Sequence, residues 1–174
     1  MKILVIDDNP VHQASARETL AGHDVTVAKS YEEGFKILVP LEAYKYVRRG
    51  EKGAYYDVVL SDLLMPPSGI MMADREKFAG QEQPLGWALV LRAVLNGARY
   101  VALVSETSHH DHPAAYALEC IDANRDEWDR LPRKKPQFAI NGSRVGFFHN
   151  VPKCAGGKNW GRVLQALLES NSDV

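Results

Sequence analysis

The stretch that decides the fold is MKILVIDDNP, residues 1–10. Lys2 to Ile6 is an unbroken apolar run that ends abruptly in Asp7-Asp8-Asn9-Pro10. Continuous rather than alternating hydrophobicity marks a strand buried on both faces, as in a parallel sheet covered by helices. Pro10 suits the first turn of a following helix, with Asp8 or Asn9 as its N-cap.

The same grammar repeats along the chain. The first helix is expected to run to about Leu20 and to stop at Gly22. Val25 to Val27 is a second strand, and Ser30 with Glu33 forms a capping box opening a helix with Phe35, Ile37 and Leu38. Asp57 to Ser61 is a third strand ending at Asp62, and Leu85 to Leu95 a helix closed by Asn96-Gly97. Val101 to Val104 is a fourth strand ending at Ser105, and Ala114 to Trp128 a fourth helix.

Phe138 to Ile140, Asn141-Gly142 and Val145 to Phe148 read as a hairpin around a two-residue turn, its second arm the fifth parallel strand. Trp160, Val163, Leu164, Leu167 and Leu168 share one face of a final amphipathic helix. Pro40 opens an inserted segment to residue 53, and residues 67–84 read as a long loop. Strands alternating with helices predict a doubly wound α/β fold: a five-stranded parallel sheet of order 2-1-3-4-5 with an extra hairpin strand. A single domain is expected, because the chain ends six residues past Leu168.

Composition excludes several classes. The 174 residues are 45% hydrophobic and 25% charged with a net charge of −1, so no global field favours nucleic acid or an anionic membrane. The local run Arg130, Arg133, Lys134 and Lys135 reads as a solvated loop. Cys120 and Cys154 match no metal or redox spacing, which with the absence of a signal peptide or apolar span predicts a cytoplasmic protein.

The chemistry lies at strand ends. Strands one and three are neighbours at the switch point of a 2-1-3-4-5 sheet, so Asp7, Asp8 and Asp62 are expected at one crevice. Clustered carboxylates repel unless a cation joins them, and magnesium suits oxygen ligands beside a phosphate. An Asp oxygen there is placed to attack phosphorus and form an aspartyl phosphate.

At this point the sequence resembles the receiver domains of bacterial response regulators. MKILVIDDNP resembles their first strand and acidic pair, and YDVVLSDLLMP, residues 56–66, their phosphorylation strand with its D-x-x-M-P ending. Residues 28–33, the strand ending at Ser105, and Gly86 resemble further family steps. The resemblance implies two-component signalling without enzymatic turnover. Asp62 becomes the phosphoacceptor, Asp7, Asp8 and Asp62 with the Leu64 carbonyl hold Mg2+, and Ser105 bonds a phosphoryl oxygen. Phe148, or Phe147, becomes the rotamer partner of Ser105.

The implied partners are a sensor histidine kinase or phosphotransfer protein, a downstream protein, and a second copy through the last helix and fifth strand. Neither nucleic acid nor membrane is expected.

Two positions depart from the family. Its Lys directly before a Pro is Val151 here, ahead of Pro152, so Lys153 is the expected replacement; Lys158 is assigned to the start of the last helix. The usually small residue after Ser105 is Glu106. These departures sustain an alternative, a phosphorylation-independent pseudo-receiver acting as a protein-interaction module. A second alternative is a metal-dependent phosphohydrolase using Asp62 with the loop His109-His110-Asp111-His112. Gly156-Gly157-Lys158-Asn159 lacks the spacing of a phosphate loop.

Overall fold

The computed structural model describes residues 1–39, 56–67, 78, 80–107, 110–118, 121 and 138–169. Strands β1 (Lys2–Ile6), β2 (Asp24–Ala28), β3 (Val58–Asp62), β4 (Tyr100–Ser105), β5 (Phe138–Ile140) and β6 (Ser143–His149) form one sheet of order β2-β1-β3-β4-β6-β5. All neighbours are parallel except the β5–β6 hairpin. The expected 2-1-3-4-5 doubly wound sheet is therefore present, with β6 as its fifth parallel strand and β5 as the extra one. Asn141 and Gly142 both take positive φ, 51° and 79°, the conformation a tight two-residue hairpin turn requires.

The continuous apolar runs bury both faces of the sheet. One face carries Leu4, Ile6, Val59, Val101, Leu103 and Phe147 against α2 (Tyr31–Leu38), α3 (Gly86–Leu95) and α4 (Pro113–Leu118). The other carries Ile3, Val5, Leu60, Ala102, Val104 and Phe148 against α1 (Pro10–Thr19) and α5 (Trp160–Glu169). Alternation along β1, β4 and β6 sends successive side chains to opposite layers. The expected inserted segment at residues 40–53, most of the loop at 67–84, the basic run at 130–135 and the far half of the fourth helix lie outside the described residues.

The caps follow the sequence. The Asn9 side chain accepts from the Val11 N–H at 2.9 Å, so Asn9 rather than Asp8 caps α1 and Asp8 is released for other work. Ser30 Oγ accepts from Glu33 N at 3.2 Å, while Glu33 reaches back to Lys29 N at 2.7 Å. No helix among the described residues is long and apolar enough to cross a membrane.

One feature was not expected. A second small sheet, β7 (Lys153–Cys154) paired with β8 (Gly157–Lys158), fills the connection between β6 and α5. Lys158 thus ends a strand instead of starting the last helix. The extra hairpin strand β5 borders the outer edge of β6, as expected.

The start of α3 is locked to the end of β3. Gly86 N donates to the Leu63 carbonyl at 3.1 Å, and a Cβ on Gly86 would lie 1.9 Å from the Asp62 carbonyl oxygen. Met65 and Gln83 exchange two backbone hydrogen bonds just ahead of the same place. Gly86→Ala is expected to cost about 3 kcal/mol, the upper end for overpacking against unyielding backbone. Urea denaturation of the two proteins measures it.

Candidate functional site

Asp7 follows β1 and Asp62 ends β3, which lie side by side with Ile6 opposite Ser61. The register brings oxygens of Asp7, Asp8 and Asp62 within 4.8 Å of one another. Asp7 is fully buried; its Oδ1 accepts from Asn9 N at 2.9 Å and its Oδ2 from Lys158 Nζ at 2.7 Å. Lys158 Nζ also lies 2.9 Å from Asp62 Oδ1, which accepts from Leu63 N at 2.9 Å as well.

Lys158 is therefore the lysine of this site, and the expectation for Lys153 is corrected. The Lys153 side chain is 67% exposed, with its ammonium 3.7 Å from Glu106, whereas the Lys158 side chain is 2% exposed. No cis peptide re-aims the chain at Pro152. Instead Ala155 and Gly156 turn at φ 50° and 84°, and the β7–β8 hairpin folds back to present Lys158 from the α1 side. Gly157 makes this approach possible, since a Cβ there would meet Val11 O and Ser15 Cβ at 2.7 Å each.

The electrostatics follow from burial. Burial pushes the Asp62 carboxyl up to about 7, with Lys158 working against the shift and Asp7 and Asp8 adding to it. Burial also raises Asp8, opposed by its own backbone hydrogen bond and reinforced by Asp7. Burial works to discharge Lys158, but Asp62 and Asp7 outweigh it and hold the ammonium above the ordinary lysine range. Three carboxylates and one ammonium leave two negative charges when all are ionised, a deficit that a divalent cation matches.

The donor set fits magnesium chemically. It is all oxygen, and Leu64, a residue lining the cleft, has a carbonyl that accepts no hydrogen bond among the described residues. The cleft is about 140 Å³, bordered by Asp8, Asn9, His12, Asp62, Glu106, Thr107 and Lys158 among others.

Ser105 lies one step beyond the Asp62–Val104 pair, buried, its Oγ accepting from Thr107 N at 3.1 Å. Phe148 does not serve it. Phe148 pairs with Val104 and packs in the layer under α1 and α5, while Ser105 points to the opposite face. Phe147 shares that opposite face but is set beside Leu103. The residue beside Ser105 is His149, whose Nε2 lies 2.8 Å from the Thr107 carbonyl.

Sequence reasoning set Lys158 aside as a helix start and missed His12 and His149. Only Lys158 left a signal, two consecutive glycines before it, the mark of a tight turn with a close backbone approach. Of the histidine loop, His109 lies outside the described residues. His110 and Asp111 are exposed, and His112 Nδ1 accepts from Ala114 N at 3.1 Å, which starts α4. The one cluster with metal-ligand geometry among the described residues is Asp7, Asp8 and Asp62.

No protein-family model matches this sequence, and no curated protein does. Among solved structures, the bacteriophytochrome response regulator AtBRR is similar at 15% identity and a TM-score of 0.40, over 94% of this chain and 87% of that one. The strand order and register above carry the fold independently of that alignment.

Lys158→Met is expected to cost about 3–5 kcal/mol at neutral pH, because it strands buried carboxylates without their partner. Lys153→Ala is expected to stay within about 0.5 kcal/mol, as exposed positions do. Chemical denaturation measures both.

The pH dependence has a definite sign. Asp62 is raised from 3.8 to about 7, so the folded state holds a proton that the unfolded state has lost. Its contribution is complete at pH below 3.8 and disappears as pH climbs through 7. Without metal, the melting temperature of wild type relative to Asp62→Asn should therefore fall across that window. A difference that stays flat or rises would contradict the raised carboxyl.

Proposed function

We propose that this chain is a receiver-type signalling module whose Asp62 accepts a phosphoryl group. The observation that carries the reading is the Lys158 ammonium, held within hydrogen-bond distance of both Asp7 and Asp62 at the switch point of the sheet. Acids alone at a strand end are equally suited to capping helices. A buried cation beside the acceptor adds what an incoming phosphoryl group needs, a fixed positive charge for its oxygens.

In this reading Asp62 Oδ2, the oxygen not taken by Leu63 and Lys158, attacks phosphorus while the donor's bond to phosphorus breaks. For a phosphohistidine donor the leaving group is the imidazole of a sensor kinase or phosphotransfer protein. Lys158 moves from carboxylate to phosphoryl oxygen, a short step for a point charge on a flexible stem. Ser105 donates its hydroxyl to a second oxygen. Mg2+ held by Asp7, Asp8, Asp62 and the Leu64 carbonyl would neutralise charge shared by carboxylate and phosphoryl group.

The lysine that the sequence left missing was the main support for a pseudo-receiver, and Lys158 supplies that charge. Glu106, the other support, is engaged by His12 at 2.8 Å instead of lying loose in the cleft. Signal output is proposed to pass by contact with a downstream protein or a second copy along α5 and the β5–β6 edge, in a cytoplasmic two-component system.

Intact mass before and after a small phosphodonor with Mg2+ tests the reading. One phosphoryl group should be gained by wild type and none by Asp62→Asn, and Lys158→Met should slow the gain at least tenfold, as loss of a transition-state charge contact does. No gain in wild type would return the chain to the pseudo-receiver reading. Continuous phosphate release would favour the phosphohydrolase.

A further inference from the structure

We propose that His12 is the positioning residue for Lys158, an inference that rests on Asp62 being the phosphoacceptor. Lys158 reaches the site on a long, freely rotating stem, so the accuracy of its ammonium depends on where its backbone is held. The element that carries it is weak by itself: β7 and β8 are two residues each, and among the described residues their only strand partner is each other. Such a hairpin has no stability of its own. Its placement must come from α1.

The contacts from α1 converge on one residue. Ser15 Oγ donates to the Lys158 carbonyl at 2.6 Å, and His12 Nδ1 accepts the Lys158 N–H at 3.3 Å. The peptide groups on both sides of the Lys158 Cα are thereby fixed. His12 is 5% exposed, and its own carbonyl accepts the Trp160 indole N–H at 3.0 Å, tying the start of α5 to the same turn. Ser15 only anchors the hairpin, whereas His12 also reaches across the cleft.

The tautomer follows from the partners. A ring nitrogen that accepts an N–H carries a lone pair, so the proton of the neutral imidazole is on Nε2. That N–H points at Glu106 Oε2, 2.8 Å away, beside Ser105. Glu106 thus acts as the abutment that fixes the ring. One imidazole spans from the strand end bearing Ser105 to the strand end bearing Lys158, the two groups proposed to hold the phosphoryl oxygens. This accounts for a large acid where the resemblance led one to expect a small residue.

The test uses the two amides that mimic one ring nitrogen each. The Asn amide falls near Nδ1 and can still accept from Lys158 N; the Gln amide falls near Nε2 and can only meet Glu106. With phosphoramidate and Mg2+, His12→Ala and His12→Gln should load Asp62 about tenfold more slowly, the usual scale for losing a residue that orients a ligand. His12→Asn should recover most of that loss, with the melting temperatures of the Asn and Gln variants within a few degrees of each other. A purely structural role would not rank the amides in this way.

A second readout needs no phosphoryl chemistry: acylation of Lys158 by an amine reagent, mapped by peptide mass. Lys158 should be shielded in wild type and His12→Asn and open in His12→Ala and His12→Gln. Equal shielding in all four, or His12→Asn as open as His12→Ala, overturns the positioning role. Failure of wild type to load, with the shielding order intact, instead counts against the phosphoacceptor reading.

Discussion

A buried ammonium between Asp7 and Asp62 is the constraint around which the rest of this structure is arranged. Parallel strands β1 and β3 end side by side, which brings their acids together whether or not that is electrostatically favourable. Burial penalises every charge there, and mutual repulsion adds to the penalty. The Lys158 contacts at 2.7 and 2.9 Å offset part of it. Such a pair adds little net stability compared with an apolar core of the same volume, but it is costly to break from one side. Stability does not account for such a pair, and the fold tolerates it because two well-filled hydrophobic layers flank the sheet.

Several peripheral features make sense as the means of delivering that ammonium. Gly157 lets the hairpin touch the α1 backbone, Ser15 and His12 hold the peptide groups of Lys158, and Trp160 places its ring 5.5 Å from the ammonium. On the opposite side, Gly86 allows α3 to begin directly against the Asp62 carbonyl. Asp62 is thus gripped from two directions by glycines that admit backbone where a side chain would not fit.

The sheet was readable in the sequence because its signals are local. Apolar runs, Ser30 with Glu33, and Asn141-Gly142 each specify their own conformation within a few residues. The three acids were readable for the same reason, since strand ends of a doubly wound sheet have known neighbours. Lys158 was not, because nothing within its own neighbourhood says where its side chain goes; Lys153 was nearer to Pro152 but faces solvent. Phe148 failed on parity: a strand alternates its faces, and one residue of offset moves an aromatic from beside Ser105 to the far layer. His12 gave no sign at all, being one polar residue in a helix until the hairpin packs on it.

The lysine and its nearer partner are 151 residues apart in the chain. At ordinary rates of protein synthesis Asp7 emerges roughly 8–30 seconds before Lys158 exists. From the emergence of Asp62 until that of Lys158, β1 and β3 can associate only by bringing like charges together without the Lys158 ammonium to relieve them. The growing chain therefore carries an electrostatic brake on its own central strand pair, released by a free divalent ion or by the arrival of Lys158, so closure of the crevice waits on the connection that bears it.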